Sequence, residues 1–102
     1  MMNIILAILM MVLPAVQGNI DIDNRIVVAD DRQISTELSF SVEIDGLEVL
    51  LPRIINGKIV SEEEAISHYF QTGEHLGKFS SVESAELYAE VLHLRQQERY
   101  GQ

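Results

Sequence analysis

Residues 34–44 alternate between two classes of side chain, and this pattern constrains the fold more than any other feature of the sequence. The stretch reads ISTELSFSVEI: every even position except Thr36 is apolar, and every odd position is Ser or Glu. A period of two is typical of a strand that buries one face. Asp45-Gly46, a preferred pair for a two-residue hairpin turn, follows at once. The sequence therefore predicts a β-hairpin whose second strand begins LEVLLPRII.

The two-residue turn fixes the register of this hairpin. It makes apolar residues face each other in three pairs: Ile44 with Leu47, Val42 with Val49, and Phe40 with Leu51. Pro52 cannot donate a hydrogen bond to a ladder, so the second strand is expected to bend, fray or lie at an edge there.

Shorter strand signals flank the hairpin. Asn56-Gly57 predicts a second tight turn, which returns a short strand at residues 58–60. Upstream, residues 25–29 include a β-branched run and predict another short strand, with a turn starting at Asp30-Asp31. Together these signals predict a small antiparallel β-meander.

A first helix is predicted directly after the strands. Ser61 and Glu64 fit a capping box, in which each side chain bonds the backbone N–H of the other residue. The helix is expected to bury one apolar stripe in the core, made of Ala65, Ile66, Tyr69 and Phe70. Gly73 is a favoured residue just past a helix end.

A second helix is expected to start near Ser80 or Ser81 and to run to about Arg99, with Ser80 and Glu83 as its capping box. It carries two apolar stripes: Val82, Ala85, Tyr88, Ala89 and Leu92, and then Leu87, Val91 and Leu94. The first stripe would pack on the domain and the second would contact a partner; a single wide buried face is the alternative. The predicted fold class is α+β, a small antiparallel sheet packed on two C-terminal helices.

The segment between the helices, which we call the corner, spans residues 68–79 and reads HYFQTGEHLGKF. It holds two of the three histidines, so it is either a metal or catalytic site or a structural turn. We interpret it as structural, with Leu76 and Phe79 anchored in the core. His75 would make a hydrogen bond that fixes the loop, and Gly77 would allow a positive φ angle.

Catalytic and metal-binding patterns do not occur in the sequence. His68 and Glu64 share a helix face, but the HExxH, GxSxG, P-loop and GxGxxG motifs are absent. The chain has no cysteine, which excludes disulfides, thiolate catalysis and cysteine-based zinc sites. The sequence therefore predicts a protein that is not an enzyme, with no catalytic residue, metal site or cofactor. A metal-dependent enzyme that uses the three histidines is the rival interpretation.

The net charge of the chain indicates which classes of partner it can bind. The formal net charge is -9, and only seven of the 102 residues are Lys or Arg. Binding to duplex nucleic acid and electrostatic docking on anionic membranes both depend on such residues. We expect no direct nucleic-acid binding by this chain.

The first 18 residues, MMNIILAILMMVLPAVQG, form a leader that is far more apolar than the rest. As a helix, residues 4–16 would span about 20 Å, against ~30 Å for the hydrocarbon core of a bilayer. Three interpretations stay open: a signal-like segment cleaved after Gly18, an arm that is buried on a partner or contacts a membrane, and an ordinary core helix. Residues 19–102 would then form a single small domain.

Four segments of the sequence occur in an order that is typical of one protein family. They are GNIDIDNRIVV at 18–28, ISTELSFSV at 34–42, EVLLPRIINGKIVSEEEAISHYFQTGEHLGKF at 48–79 and SAELYAEVLH at 84–93. Together they resemble a small module of virion proteins from tailed bacteriophages and their prophages. The matching residues are Gly18, Asn19, Ile20, Asp21, Asn24, Arg25, Ser61, Glu63, Glu64, Ala65, Ile66, His68, Tyr69, Thr72, Gly73, His75, Leu76, Gly77 and Phe79. Ile26 and Arg53 stand where that module usually has proline and threonine.

The resemblance implies a virion-associated protein without catalytic residues. It would be a structural or ejected component that binds other virion proteins, such as portal, tail or internal proteins, through the leader and the last helix. Assembly with further copies of itself is a second kind of partnership, and membrane contact would use residues 4–16. The rival is a small exported protein that acts in the host periplasm or envelope after cleavage near Gly18.

Overall fold

The computed structural model of the chain describes residues 13–22, 27–28, 34–35 and 37–99. Leader residues 1–12 and the turn expected at Asp30-Asp31 lie outside this part. The strands are β1 (Val16–Gln17), β2 (Val27–Val28), β3 (Ile34–Ser35), β4 (Ser39–Ile44), β5 (Leu47–Pro52), β6 (Ile54–Ile55), β7 (Lys58–Ile59) and β8 (Gly77–Phe79). The helices are α1 (Glu62–Thr72) and α2 (Val82–Arg99).

The hairpin of β4 and β5 has the register that the sequence predicts. Its pairs include Ile44 with Leu47, Val42 with Val49, and Phe40 with Leu51. Asp45 and Gly46 have φ angles of 53° and 85°, as a type I′ turn requires at both central positions. The second predicted turn is also present, since Asn56 and Gly57 join β6 to β7 with φ angles of 53° and 79°.

The strand predicted over residues 34–44 is divided in two. Its start, β3, pairs with β2 in a separate two-stranded sheet, whereas β4 begins only at Ser39. Between them the backbone N–H of Glu37 bonds the side-chain Oε1 of Gln96 on α2. The ladder to β5 therefore starts only where Leu38 accepts a hydrogen bond from the N–H of Arg53, at 2.6 Å.

The main sheet has four antiparallel strands in the order β1-β8-β5-β4. The corner supplies an inner strand, because β8 pairs with β5 on one side and with β1 on the other. Lys78, for example, faces both Val49 of β5 and Val16 of β1. Pro52 is the last residue of β5 and lies beyond the segment that pairs with β8. Its missing N–H therefore removes no hydrogen bond from the β5–β8 ladder.

Both helices contact the sheet, so the predicted α+β fold is confirmed. Helix α2 covers the sheet face that carries Leu50 and Phe79, and these two residues are almost completely buried. The core cluster on this face is Leu50, Leu76, Phe79, Ala85 and Leu92. Burial of each large apolar side chain stabilises the fold by about 1.5–3 kcal/mol.

Helix α2 begins with a different cap from the predicted pair of Ser80 and Glu83. The hydroxyl of Ser81 accepts a hydrogen bond from the N–H of Ser84 at 3.2 Å, and the helix starts at Val82. A serine caps the helix, as the sequence predicts, but it is Ser81 and not Ser80.

Candidate functional site

The first turn of α1 holds the capping box. Ser61 Oγ accepts from the N–H of Glu64, and Glu64 Oε1 accepts from the N–H of Ser61, both at 3.1 Å. Hydrogen bonds to the Glu64 carboxylate, from the backbone N–H of Ser61 first and from the Ser61 side chain second, lower the pKa of Glu64 from its ordinary value. Glu64 is therefore ionised at the positive end of the helix dipole. This arrangement does not favour Glu64 as a general acid.

The corner contains the last turn of α1, a short connection and strand β8. Gly73 adopts a left-handed φ of 75°, and its N–H donates to the C=O of Tyr69 at 2.7 Å. Thr72 adds a side-chain bond from its hydroxyl to the C=O of His68, at 2.8 Å. His68 then meets Glu74 across the turn, with 3.3 Å between Nε2 and Oε1. These contacts are those of a helix end.

Asn19 joins the N-terminal segment to the corner through three hydrogen bonds, which we call the Asn19 clamp. Its Nδ2 donates to the C=O of Gly73 at 2.9 Å, and its Oδ1 accepts from the N–H of His75 at 2.8 Å. Its own backbone N–H donates to the C=O of His75 at 3.1 Å. Next to it, a Cβ on Gly18 would lie only 2.4 Å from the C=O oxygen of Leu76. The segment therefore needs glycine and asparagine in succession to lie against the corner.

His75 lies inside the corner, with 5% of its surface exposed. Its ring packs edge-on against Tyr69, 6.2 Å between centroids, and the Lys78 amine lies 5.7 Å from the centre of the Tyr69 ring. Burial first, and the charge of Lys78 second, lower the pKa of His75. The loop-fixing hydrogen bonds expected of His75 come from its backbone, whereas its buried Nδ1 has no partner among residues 13–22 and 37–99.

Three expectations about side-chain placement are wrong. Val82, placed in the stripe that packs on the domain, is 45% exposed. Phe70, placed in the core from the sequence, is 68% exposed. It follows the buried Ala65 by five residues, or about 140° around the helix, and so points away from the buried face. Val91, expected to contact a partner, is 2% exposed, because α2 buries a wider arc than its first stripe. Leu87 and Leu94 of the same stripe are 44% and 40% exposed.

A groove between residues 13–22 and α2 was not anticipated. Two adjoining cavities of about 320 and 200 Å³ share Gln17, Tyr88 and Arg95 in their walls. The larger is also lined by Leu13 and Pro14, and the smaller by Asp21. No local pattern in the sequence indicates this groove, since it exists only once the N-terminal segment lies against α2.

Among the described residues, no three His, Asp or Glu side chains gather in a way that would hold a metal ion. Within the same part of the chain, no helix has the length and apolar character needed to cross a membrane. Comparison with protein-family models, curated proteins and solved structures finds no match to this chain.

Proposed function

We propose that this protein is a non-enzymatic structural or ejected component of a tailed-bacteriophage virion, where it binds other virion proteins. The observation that carries the proposal is the ordered set of segments that resembles the virion module. The Asn19 clamp supports it, because Asn19 of the GNID segment bonds Gly73 and His75 of the TGEHLG segment. Two separated parts of the resembling pattern thus have one shared role in building the fold.

The surface through which it would bind a partner is the face of α2 that carries Leu87 and Leu94. These side chains lie seven positions, or about two helical turns, apart, and both are substantially exposed. Exposed glutamates, Glu83 and Glu90, occur on the same helix. A partner with an apolar patch bordered by basic residues would complement this face.

The alternative is an exported envelope protein released by cleavage near Gly18, and the apolar leader is the feature that favours it. The contacts around the cleavage point support the virion proposal instead. Val16 pairs with Lys78 in the sheet, and the N–H of Ala15 donates to the C=O of Lys78 at 2.8 Å. Cleavage after Gly18 would remove β1 and these contacts from the domain.

Incorporation of tagged protein into particles tests the proposal. The full chain with a C-terminal epitope tag is expressed in host cells during infection, and purified particles are probed for the tag. We expect the tagged wild type in particles and at least a tenfold loss for the double variant Leu87→Glu/Leu94→Glu. Val82→Glu is the matched control, because Val82 is similarly exposed, at 45%, but lies on another side of α2. Absence of tagged wild type from particles would contradict the proposal.

A further inference from the structure

Strand β4 forms the outer edge of the four-stranded sheet. Ile44 and Leu47 flank a two-residue turn, so they form a hydrogen-bonded pair, and such pairs alternate along the hairpin. The backbone groups of Ser39, Ser41 and Glu43 consequently point away from β5. Within the described part of the chain, these outward groups have no hydrogen-bond partner, since β4 pairs with β5 alone.

Among the residues that the structure describes, this edge lacks the devices that usually protect an exposed strand. Natural edges are kept short, or carry lysine, proline or a bulge. Strand β4 has six residues, SFSVEI, with no Lys, Arg, Pro or Gly among them. Its one charged side chain, Glu43, accepts a hydrogen bond from the N–H of Gly46 at 3.0 Å and is thereby held at the turn. The opposite edge strand, β1, has only two residues.

An apolar row accompanies the open edge. Phe40, Val42 and Ile44 lie on one face of β4, and all three are only partly buried. Leu38, which immediately precedes the strand, is 41% exposed. A strand added at this edge would bond the outward backbone groups and cover this row at the same time.

We propose that two copies of this chain pair through their β4 strands, antiparallel about a two-fold axis at Ser41, to form one continuous eight-stranded sheet. Ser41 then faces Ser41 of the other copy, and Ser39 faces Glu43. The pairing adds about six hydrogen bonds between the copies. It also places Phe40 opposite Val42 and Leu38 opposite Ile44 on the apolar face.

The outward backbone groups single out this register. Because the outward residues are Ser39, Ser41 and Glu43, an axis at Ser41 pairs all three of them, whereas an axis at Phe40 or Val42 pairs only two and forms fewer hydrogen bonds. An axis at Glu43 would set two carboxylates directly opposite each other, which is unfavourable. An axis at Ser39 would require the N–H of Glu37, which already bonds Gln96. With the axis at Ser41, no charge within β4 faces a like charge and apolar side chains face each other, and this self-complementarity favours a second copy as the occupant.

Single cysteine substitutions test the register directly, because the chain has no cysteine of its own. In the proposed dimer the two Ser41 Cα atoms lie about 5.5 Å apart, within disulfide range. The matched control is Ser39→Cys, whose two Cα atoms would be more than ~13 Å apart. Under mild oxidation of the full-length protein, we expect a disulfide-linked dimer from Ser41→Cys and less than a tenth as much from Ser39→Cys. Equal cross-linking of both variants, or none in either, would overturn the proposal.

Sedimentation velocity on the full-length chain gives a second, independent test. We expect a dimer for the wild type and for Ser41→Thr, and a monomer for Ser41→Pro, which removes the outward N–H at the two-fold axis. Circular dichroism checks that Ser41→Pro is folded; if it is not, the cysteine pair still decides the question. A monomeric wild type, which would leave the edge for a strand of another protein, contradicts the proposal. The inference does not depend on the virion assignment.

Discussion

Asn19 and His75 lie 56 positions apart in the chain and exchange two hydrogen bonds. The side-chain Oδ1 of Asn19 accepts from the N–H of His75 at 2.8 Å, and the N–H of Asn19 donates to the C=O of His75 at 3.1 Å. Since β1 lies just before Asn19 and β8 just after His75, these bonds close one end of the β1–β8 ladder. The Asn19 clamp therefore adds to the β1–β8 ladder in holding the N-terminal segment against the corner.

Asn19→Ala is expected to destabilise the fold by about 1–3 kcal/mol, because it leaves the N–H of His75 and the C=O of Gly73 without their side-chain partner. The free energy of unfolding is measured by urea titration. Gln71→Ala, at an exposed position on α1, is the control and should change the value by less than about 0.5 kcal/mol. Equal effects of the two substitutions would show that the clamp does not stabilise the protein.

Gly18→Ala is expected to cost about 3 kcal/mol, because the added Cβ would overlap the backbone oxygen of Leu76. Gly73→Ala provides the comparison. There a Cβ meets nothing within 4 Å, and only the left-handed φ of 75° opposes it, at a cost of about 1 kcal/mol. Thermal and urea unfolding should rank Gly18→Ala as the more damaging change. The reverse order would mean that the N-terminal segment does not approach Leu76 closely.

The stability of the protein should fall as the pH drops below about 6.5, the ordinary pKa of histidine. Burial and Lys78 lower the pKa of His75 in the folded state, so the unfolded chain binds the proton more readily. The contribution of His75 is therefore complete above the unfolded pKa and is lost as the pH falls toward the folded one. Urea midpoints across this range measure the effect. His75→Gln should reduce this pH dependence, whereas His68→Gln, which leaves His75 in place, should retain it.

Phe79→Ala should cost about 3–5 kcal/mol, since Phe79 is 1% exposed and its ring lies 5.1 Å from that of Tyr88. Phe40→Ala should cost clearly less in the monomer, because Phe40 is only partly buried. The two losses are compared by urea unfolding at a concentration where the protein is monomeric. A larger loss for Phe40→Ala would place the main core on the other face of the sheet.

The sequence predicts best those elements that are specified by residues close together in the chain. The alternation before Asp45-Gly46 and the turn itself specify the β4–β5 register, and both act within a few residues. Strand β8 has three residues, one of them glycine, and is a strand only because β5 and β1 lie on either side of it. No local pattern could reveal it. The same holds for Gln96, which is buried on α2 because it bonds the backbone of Glu37.

The virion proposal was built from sequence resemblance, so its most direct test is the composition of the particle itself. The measurement is the intact mass of this chain, determined by mass spectrometry, in purified phage particles released by the cells that encode it. We predict full-length protein starting at Met1, at a fixed ratio to the major capsid protein. Its absence from particles, together with a chain starting at Asn19 in the host periplasm, would contradict the proposal and establish the leader as a signal peptide.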